Sequence, residues 1–493
     1  MDPITPCLSS WSDAPRVRRL NDVEMRDGSY VLCWLQQALR AYDNPVIDAA
    51  IRLGNEVGLP VLVYQGLRED YPYASDRLHR FILGAGRDLA VECAGRDIAC
   101  VQFVERAGKR EKGLVYRLAA ASAALVVEDQ SGFVAQWQTE RVASKSQTAV
   151  FAVNAACLVP PGALEQGVGT TSAFRRRHEK VREQWMEWTD EAPEIAPYAG
   201  ALPFQPDLLI SLTDTDLDVL VASCSIDHDV KPSAMFPATR AEVLLRLARL
   251  RDEVLPVYAR VRNDATRLEG SSTLSPYLHF GMVGPREIMA VVEQADVPAA
   301  SRLKFADELL SWREWFHYKA RSLPMPESYG RLPNWAKSTL EKHAGDPRPR
   351  IETLDALVHG ETADETWNAC QRQYLIDGWM HNNLRMYWAK QIIAMTPDPQ
   401  TGWATACYLN DRLSLDGRDP STYGNLAWAF GDSAPGYGDR PIYGLVASRS
   451  DRSIRGRSGG PEWITSAAAR PVPRLKTTNL PPVDPYLSET IPI

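Results

Sequence analysis

Three segments in the second half of the chain concentrate side chains able to do chemistry. The run Ser271-Ser272-Thr273-Leu274-Ser275-Pro276 gathers hydroxyls and backbone N–H groups directly before a helical pattern. Such a run caps a helix N-terminus, and the same groups can hold a phosphate. Spacing alone favours the plain cap. The second segment, Trp367–Met395, holds Trp367 and Trp388 at a separation of 21 residues. On one unbroken helix they would share a face yet lie about 30 Å apart. Contact between them therefore requires a turn, and Asp377-Gly378 is the place for it. By type alone, these tryptophans fill a core. The third segment, Tyr408–Thr422 (YLNDRLSLDGRDPST), sets aspartates, arginines and an asparagine among leucines. Burying them is costly unless they pair, and Arg385 is a candidate partner for Asp416. The plain alternative is surface charge.

The elements that must position these groups follow from pattern and composition. The 493 residues are 45% hydrophobic and 24% charged, ordinary for a chain able to bury a core, and length suggests two large or three smaller units. Net charge is −7, so nucleic acid could be held only by a local basic patch. The eight cysteines are scattered without C-x-x-C pairs, which argues against a disulfide framework or iron–sulfur site, and no metal is expected. No signal peptide or membrane-length apolar run is visible, so a cytoplasmic protein with no membrane partner is expected.

Buried-strand runs at Tyr30–Leu35, Pro60–Tyr64, Ile98–Val104, Ala124–Val127 and Ala149–Val153 alternate with helical patterns at Asn44–Val57 and Asp76–Cys93. Parallel strands need crossovers, so this reads as an α/β domain with a five-stranded, Rossmann-like parallel sheet. No G-x-G-x-x-G follows the first strand. The expected divisions are an N-terminal extension (1–28), the α/β domain (29–160), a Pro- and Gly-rich linker (161–215), an all-α domain (216–454) and a flexible or loosely docked tail (455–493).

YLNDRLSLDGRDP, LRMYWAK and STLSPYLHFG resemble the signature stretches of class II cyclobutane pyrimidine dimer photolyases, within the photolyase/cryptochrome family. Arg40 with Asp43-Asn44, the basic segment Arg175–Lys180 and the Asp439–Gly444 stretch add to the likeness, which runs from about Tyr30 to Ser448. The resemblance implies an α/β domain, sometimes holding an antenna pigment (deazaflavin or folate), and a helical domain binding FAD, active as FADH⁻. It implies light-driven repair of DNA containing pyrimidine dimers, by a monomer. Carried over by residue, Tyr258, Ser271, Ser272, Thr273, Leu274 and Ser275 hold the FAD phosphates. Arg385 and Asp416, with Gly417, flank the flavin ring, and Asn410 faces its N5. Glu314 bonds the dimer carbonyls, while Arg262, Asn263, Tyr318, Met386 and Trp428 line the lesion pocket. Trp367 and Trp388 carry electrons to the flavin.

The chain departs from that pattern in places. The residue seven beyond Trp388, a surface tryptophan in the family, is Met395, which lengthens or breaks the photoreduction route. Gly378–Asn383 looks more like the class I version, and the loop Asp432–Gly438 carries few charges. The alternatives are a blue-light receptor without repair activity and a flavoenzyme acting on a small molecule. A basic rim drawn from Arg175–Arg177, Lys180, Arg182, Arg262, Arg440, Arg449, Arg452 and Arg455 would favour DNA.

Overall fold

The computed structural model describes residues 5–164, 167–187, 194–323, 325, 327–436 and 438–477. Parts of the expected linker (188–193) and tail (478–493) lie outside them. The apolar runs form β2 (Val31–Leu35), β3 (Val61–Leu67), β4 (Ala99–Val104), β5 (Ala124–Glu128) and β6 (Ala149–Val153), all parallel, in the order β6-β5-β2-β3-β4. β2, β5 and β6 are buried along their whole length, as strands covered on both faces must be.

A sixth strand, β1 (Val17–Arg19), pairs antiparallel with β6 and comes from the segment expected to be a mere extension. Its sequence, Val-Arg-Arg, carries no apolar signal. Arg18 instead bonds Asp129 at 2.8 Å, and Arg19 lies over the Phe151 ring.

Helix α1 (Pro45–Val57) begins with the Asn44 side chain accepting from Val46 N, and α2 (Asp76–Gly95) follows β3. After α3 (Thr171–Val181) the chain becomes helical. The short α4 (Ser275–His279) follows the Ser-rich run. One rod then comprises α5 (Ala299–Ala306), a π-helical segment (Asp307–Arg313) and α6 (Glu314–Arg321). The long pattern of Trp367–Met395 breaks into α7 (Glu365–Asp377) and α8 (Asn382–Met395), with Gly378 at φ 65° between them. There follow α9 (Pro399–Leu413) and α10 (Pro420–Ala429).

Of the expected tail, residues 456–477 are docked on the helical domain. Helix α11 (Gly460–Ala469) packs on α7, and Arg470 forms a two-bond pair with Asp377 at 2.7 and 2.5 Å. Further on, Leu475 is buried against His359. Asp355, His359 and Glu361 bring ligand-type atoms within 4.8 Å of one another, but Arg474 bonds both carboxylates.

The two domains are pinned by buried arginines. Arg77 of α2 donates to the carbonyls of Tyr374, Leu375 and Leu413, the C-terminal turns of α7 and α9, at 2.6–2.8 Å. Arg40 donates to Gly281 O at 2.8 Å, just past α4. Helix ends leave carbonyls without intrahelical partners, so each guanidinium satisfies groups that burial would otherwise strand.

Candidate cofactor and substrate site

A cavity of about 530 Å³ opens into the helical domain between the Ser-rich run, the π-helical segment, α8 and α10. One wall is Tyr258 and Ser271–Ser275. Thr273 sits at φ 54°, held there by Arg246, which donates to its hydroxyl. Ser275 Oγ accepts from the Trp379 indole at 3.1 Å. The adjoining wall is the Arg385–Asp416 pair at 2.9 Å, both groups nearly excluded from water. Thr422 Oγ1 accepts from Arg385 at 2.9 Å, and Ser414 Oγ donates to Asp416 at 2.6 Å. The carboxylate and guanidinium are thus multiply satisfied, which makes burial of the charges tolerable. His381 also faces the cavity. Burial pushes its pKa down to about 4, so at neutral pH it is uncharged, donating from Nε2 to Arg262 O and accepting at Nδ1 from Asn383 N.

The opposite end is built by the π-helical segment. Its extra residue per turn places Glu308 and Trp312 on the cavity side. Glu308 pairs with Arg262 at 2.8 Å and Lys304 at 2.7 Å. The Trp312 ring meets Trp428 edge-to-face at 5.2 Å, and Arg175, paired with Asp307, lies over Trp312. Met386 and Asn425 complete this end.

Several expected residues stand elsewhere. Glu314 is buried at the seam with the α/β domain, accepting from Leu158 N, Val159 N and His178 Nε2, and does not line the cavity. The cause is the π-helical register, which turns residue 314 away as it turns 308 inward. Tyr318 is packed between Trp315 and Phe174, with its hydroxyl accepting from Val168 N, so it is no pocket wall. Asn263 lies exposed beside the rim, accepting from Arg262 and Asn383.

Asn410 is fully buried behind the wall; its amide accepts from Tyr374 Oη at 3.1 Å and donates to Gly417 O at 2.6 Å. Gly417 backs directly onto Asn410, leaving no room for a Cβ. These two shape the loop, and Ser421, Thr422 and Asn425 reach the cavity in their place. Trp367 and Trp388 stack nearly parallel, 6.1 Å between centroids, outside the cavity wall. Sequence reasoning missed Glu308, Trp312 and Asn425, while Arg449, expected on the basic rim, lines the cavity. The four-residue spacing of Glu308 and Trp312 was the signal for one shared helical face.

A second cavity, about 140 Å³, lies at the C-terminal edge of the parallel strands, lined by Trp34, Tyr64, Gln65, Phe103, Gln138 and Arg418. Open parallel sheets bind ligands at that edge. Arg418, two residues from Asp416, reaches it from the helical domain and lies 5.2 Å over the Tyr71 ring.

These features define a two-domain protein: a parallel α/β unit joined to a helical unit with a large, arginine- and hydroxyl-lined chamber. The DNA photolyase family model matches residues 31–197. A deoxyribodipyrimidine photo-lyase of Methanothermobacter thermautotrophicus is 30% identical over 471 residues, covering 92% of this chain and 97% of that one. A class III photolyase from Agrobacterium tumefaciens superposes with a TM-score of 0.65 at 15% identity, over 92% of this chain and 96% of its own. A Synechocystis cryptochrome gives 0.64 at 16%, over 90% and 88%. The chain belongs to the photolyase/cryptochrome family, whose members bind FAD.

The chamber suits that cofactor. Its volume lies within the range of roughly 300–1,000 Å³ usual for ligand sites. The buried Nε–H groups of Arg262 and Arg385, both on its wall, have no acceptor among the described residues and can serve an anionic or carbonyl-bearing ligand.

Proposed function

We propose that this chain is a class II-like photolyase that repairs DNA by splitting cyclobutane pyrimidine dimers under blue light. The observation that carries the reading is the two-ended chamber, with the Arg385–Asp416 pair and hydroxyl run at one end and Trp312, Trp428 and Glu308 at the other. Bound FAD in its reduced form supplies the photoexcitable electron donor.

The chain's own groups do the rest by binding and positioning. Tyr258 and the hydroxyls of Ser271–Ser275 hold the pyrophosphate, with Arg385 fixed by Asp416 beside the flavin ring. A base pair must be broken and its dinucleotide turned out of the duplex before it can enter. Trp312 and Trp428, with Met386, supply flat apolar faces for that dinucleotide. The two indoles touch edge-to-face, so they part as it enters. Glu308, anchored by Arg262 and Lys304, supplies a fixed carboxylate for base-edge N–H groups. The exposed Arg176, Lys180, Arg452 and Arg457 provide a basic surface for the phosphate backbone on an otherwise acidic protein. The smaller cavity in the α/β domain is the place for an antenna pigment. Among the described residues no helix is long and apolar enough to cross a membrane.

The test is a visible spectrum of the purified protein followed by an assay on dimer-containing oligonucleotide with and without blue light. A flavin spectrum and light-dependent loss of dimers are expected. A flavin-containing protein inert on dimers would favour the receptor or small-molecule reading, and a protein that refuses added FAD would overturn the flavoenzyme reading altogether.

A further inference from the structure

The Trp388–Trp367 stack has no indole at the position where the family pattern places its surface member. Both rings are fully buried, and Met395, which stands where the family pattern has a surface indole, is itself buried. The rings are fixed by hydrogen bonds: Trp367 Nε1 donates to Trp388 O at 3.0 Å, and Trp388 Nε1 to Gln371 Oε1 at 2.9 Å. A tryptophan oxidised inside this stack must be re-reduced by a neighbour, or the charge returns the way it came.

Asp364 supplies the connection. As the N-cap of α7 it accepts from Trp367 N at 2.9 Å through Oδ1, while its Oδ2 accepts from the phenol of Tyr387. Tyr387 adjoins Trp388 in sequence and is buried, whereas Asp364 is half-exposed and in touch with water.

We infer that Tyr387 is the terminal electron donor of the tryptophan route and that Asp364 takes its proton. The inference rests on the flavoenzyme reading above. Trp388 loses an electron to photoexcited oxidised flavin, and Trp367 refills Trp388. Tyr387 then gives one electron to the oxidised Trp367. Its O–H bond breaks in the same event, and the proton passes to Asp364 Oδ2. Trp367 is restored, leaving a neutral phenoxyl radical and a protonated carboxyl.

Phenol oxidation needs such a base, because the radical cation is strongly acidic, and this separates Tyr387 from the other tyrosines nearby. Tyr374 lies edge-on to Trp388 at 5.5 Å, but its hydroxyl bonds the amide of Asn410, which does not take a proton at neutral pH. Tyr443 donates to a carbonyl, Lys390 O. The other ionisable groups felt by the Tyr387 phenol are Cys370, which is buried, and Asp451, which is bonded by Arg455.

The experiment is transient absorption on the flavin-loaded, oxidised full-length protein after a blue flash, with electron paramagnetic resonance to identify the radical. The wild type should convert a tryptophan radical into a neutral tyrosyl radical. Tyr387→Phe should lose the tyrosyl signal and leave a tryptophan radical that recombines with the flavin. Asp364→Asn keeps a capping oxygen for Trp367 N but removes the base, and should slow tyrosyl formation severalfold. A wild type whose tryptophan radical persists with no tyrosyl signal, or a Tyr387→Phe variant with an undiminished one, overturns the assignment while leaving the flavin reading intact. A flavin-loaded protein with no flash-induced radical at all removes the tryptophan route and its terminal donor, whereas a protein that cannot be loaded with flavin removes the flavoenzyme reading.

Discussion

Arg77 of the α/β domain and Gly378 of the helical domain are fitted to each other: a Cβ at residue 378 would stand 2.9 Å from the Arg77 side chain. Gly378 is in the left-handed region at φ 65°, so the turn that folds α8 back onto α7 requires glycine twice over. That turn brings Trp367 and Trp388 together. Tyr374 O keeps its bond from Gly378 N, but Arg77→Met should strand the carbonyls of Leu375 and Leu413 and lower stability by about 3 kcal/mol. Gly378→Ala should cost about 1–2 kcal/mol from backbone strain alone. Denaturant titration measures both, and an Arg77→Met loss below about 1 kcal/mol would deny the clamp.

Glu308 lines the chamber while Glu314 is buried at the domain seam, which gives opposite expectations for two similar substitutions. Glu308→Ala should reduce dimer repair per photon roughly tenfold, the worth of one charged hydrogen bond, and leave flavin content unchanged. Glu314→Ala should destabilise the fold by about 3 kcal/mol, because it leaves two N–H groups and His178 without their acceptor at the domain seam. A stable Glu314→Ala protein with its repair selectively abolished would reverse the assignment.

Part of this was legible in the letters and part was not. The parallel strands announced themselves because burial on both faces demands unbroken apolar runs, as in Val-Leu-Cys-Trp-Leu of β2. β1 was invisible because its two arginines are satisfied by Asp129 and the Phe151 ring rather than by a core. Glu314 was misplaced because a short motif match carries no phase, and the π-helical residues just before it shift the phase. The burial of Asn410 was not legible, because it depends on Gly417, whose lack of a Cβ lets the loop close onto it from behind. Helix α11 was hidden by the Arg, Ser and Pro of its flanks, though Ile464 and Ala467 anchor it.

Acid should weaken the fold through His79. The ring is buried and stacked on Tyr71 at 5.6 Å, and burial, helped by the Arg418 charge, pushes its pKa down to about 3. His228 is the other ionisable group that faces it. The unfolded chain binds this proton near pH 6.5, so its stabilising contribution is complete above that value and is lost as pH falls from about 6.5 towards 3. The loss should approach about 1.4 kcal/mol per pH unit for this one group. His79→Phe should flatten the fall in denaturation midpoint between pH 6.5 and 5, and an unchanged slope would exclude His79 as its source.

Salt should report on the basic rim. Arg452 and Arg457 are exposed and follow closely in sequence on Arg449, which lines the chamber wall. Replacing both with alanine should weaken binding to any duplex and reduce the slope of log affinity against log salt by about 1 per phosphate contact removed. Titration of undamaged oligonucleotide at several salt concentrations measures it; a slope identical to wild type would place the DNA elsewhere.

The stretch Ser414–Asp419 serves two rooms at once. Asp416 faces the large chamber, Arg418 the small one, and Asp419 starts α10 while bonding His279 at 3.2 Å. Six consecutive residues are therefore a party wall, and neither tenant can be rehoused alone. A change that reshapes the small chamber through Arg418 moves the backbone on which the large one hangs, so divergence within this fold is pushed into the far walls, where each chamber is free to drift by itself.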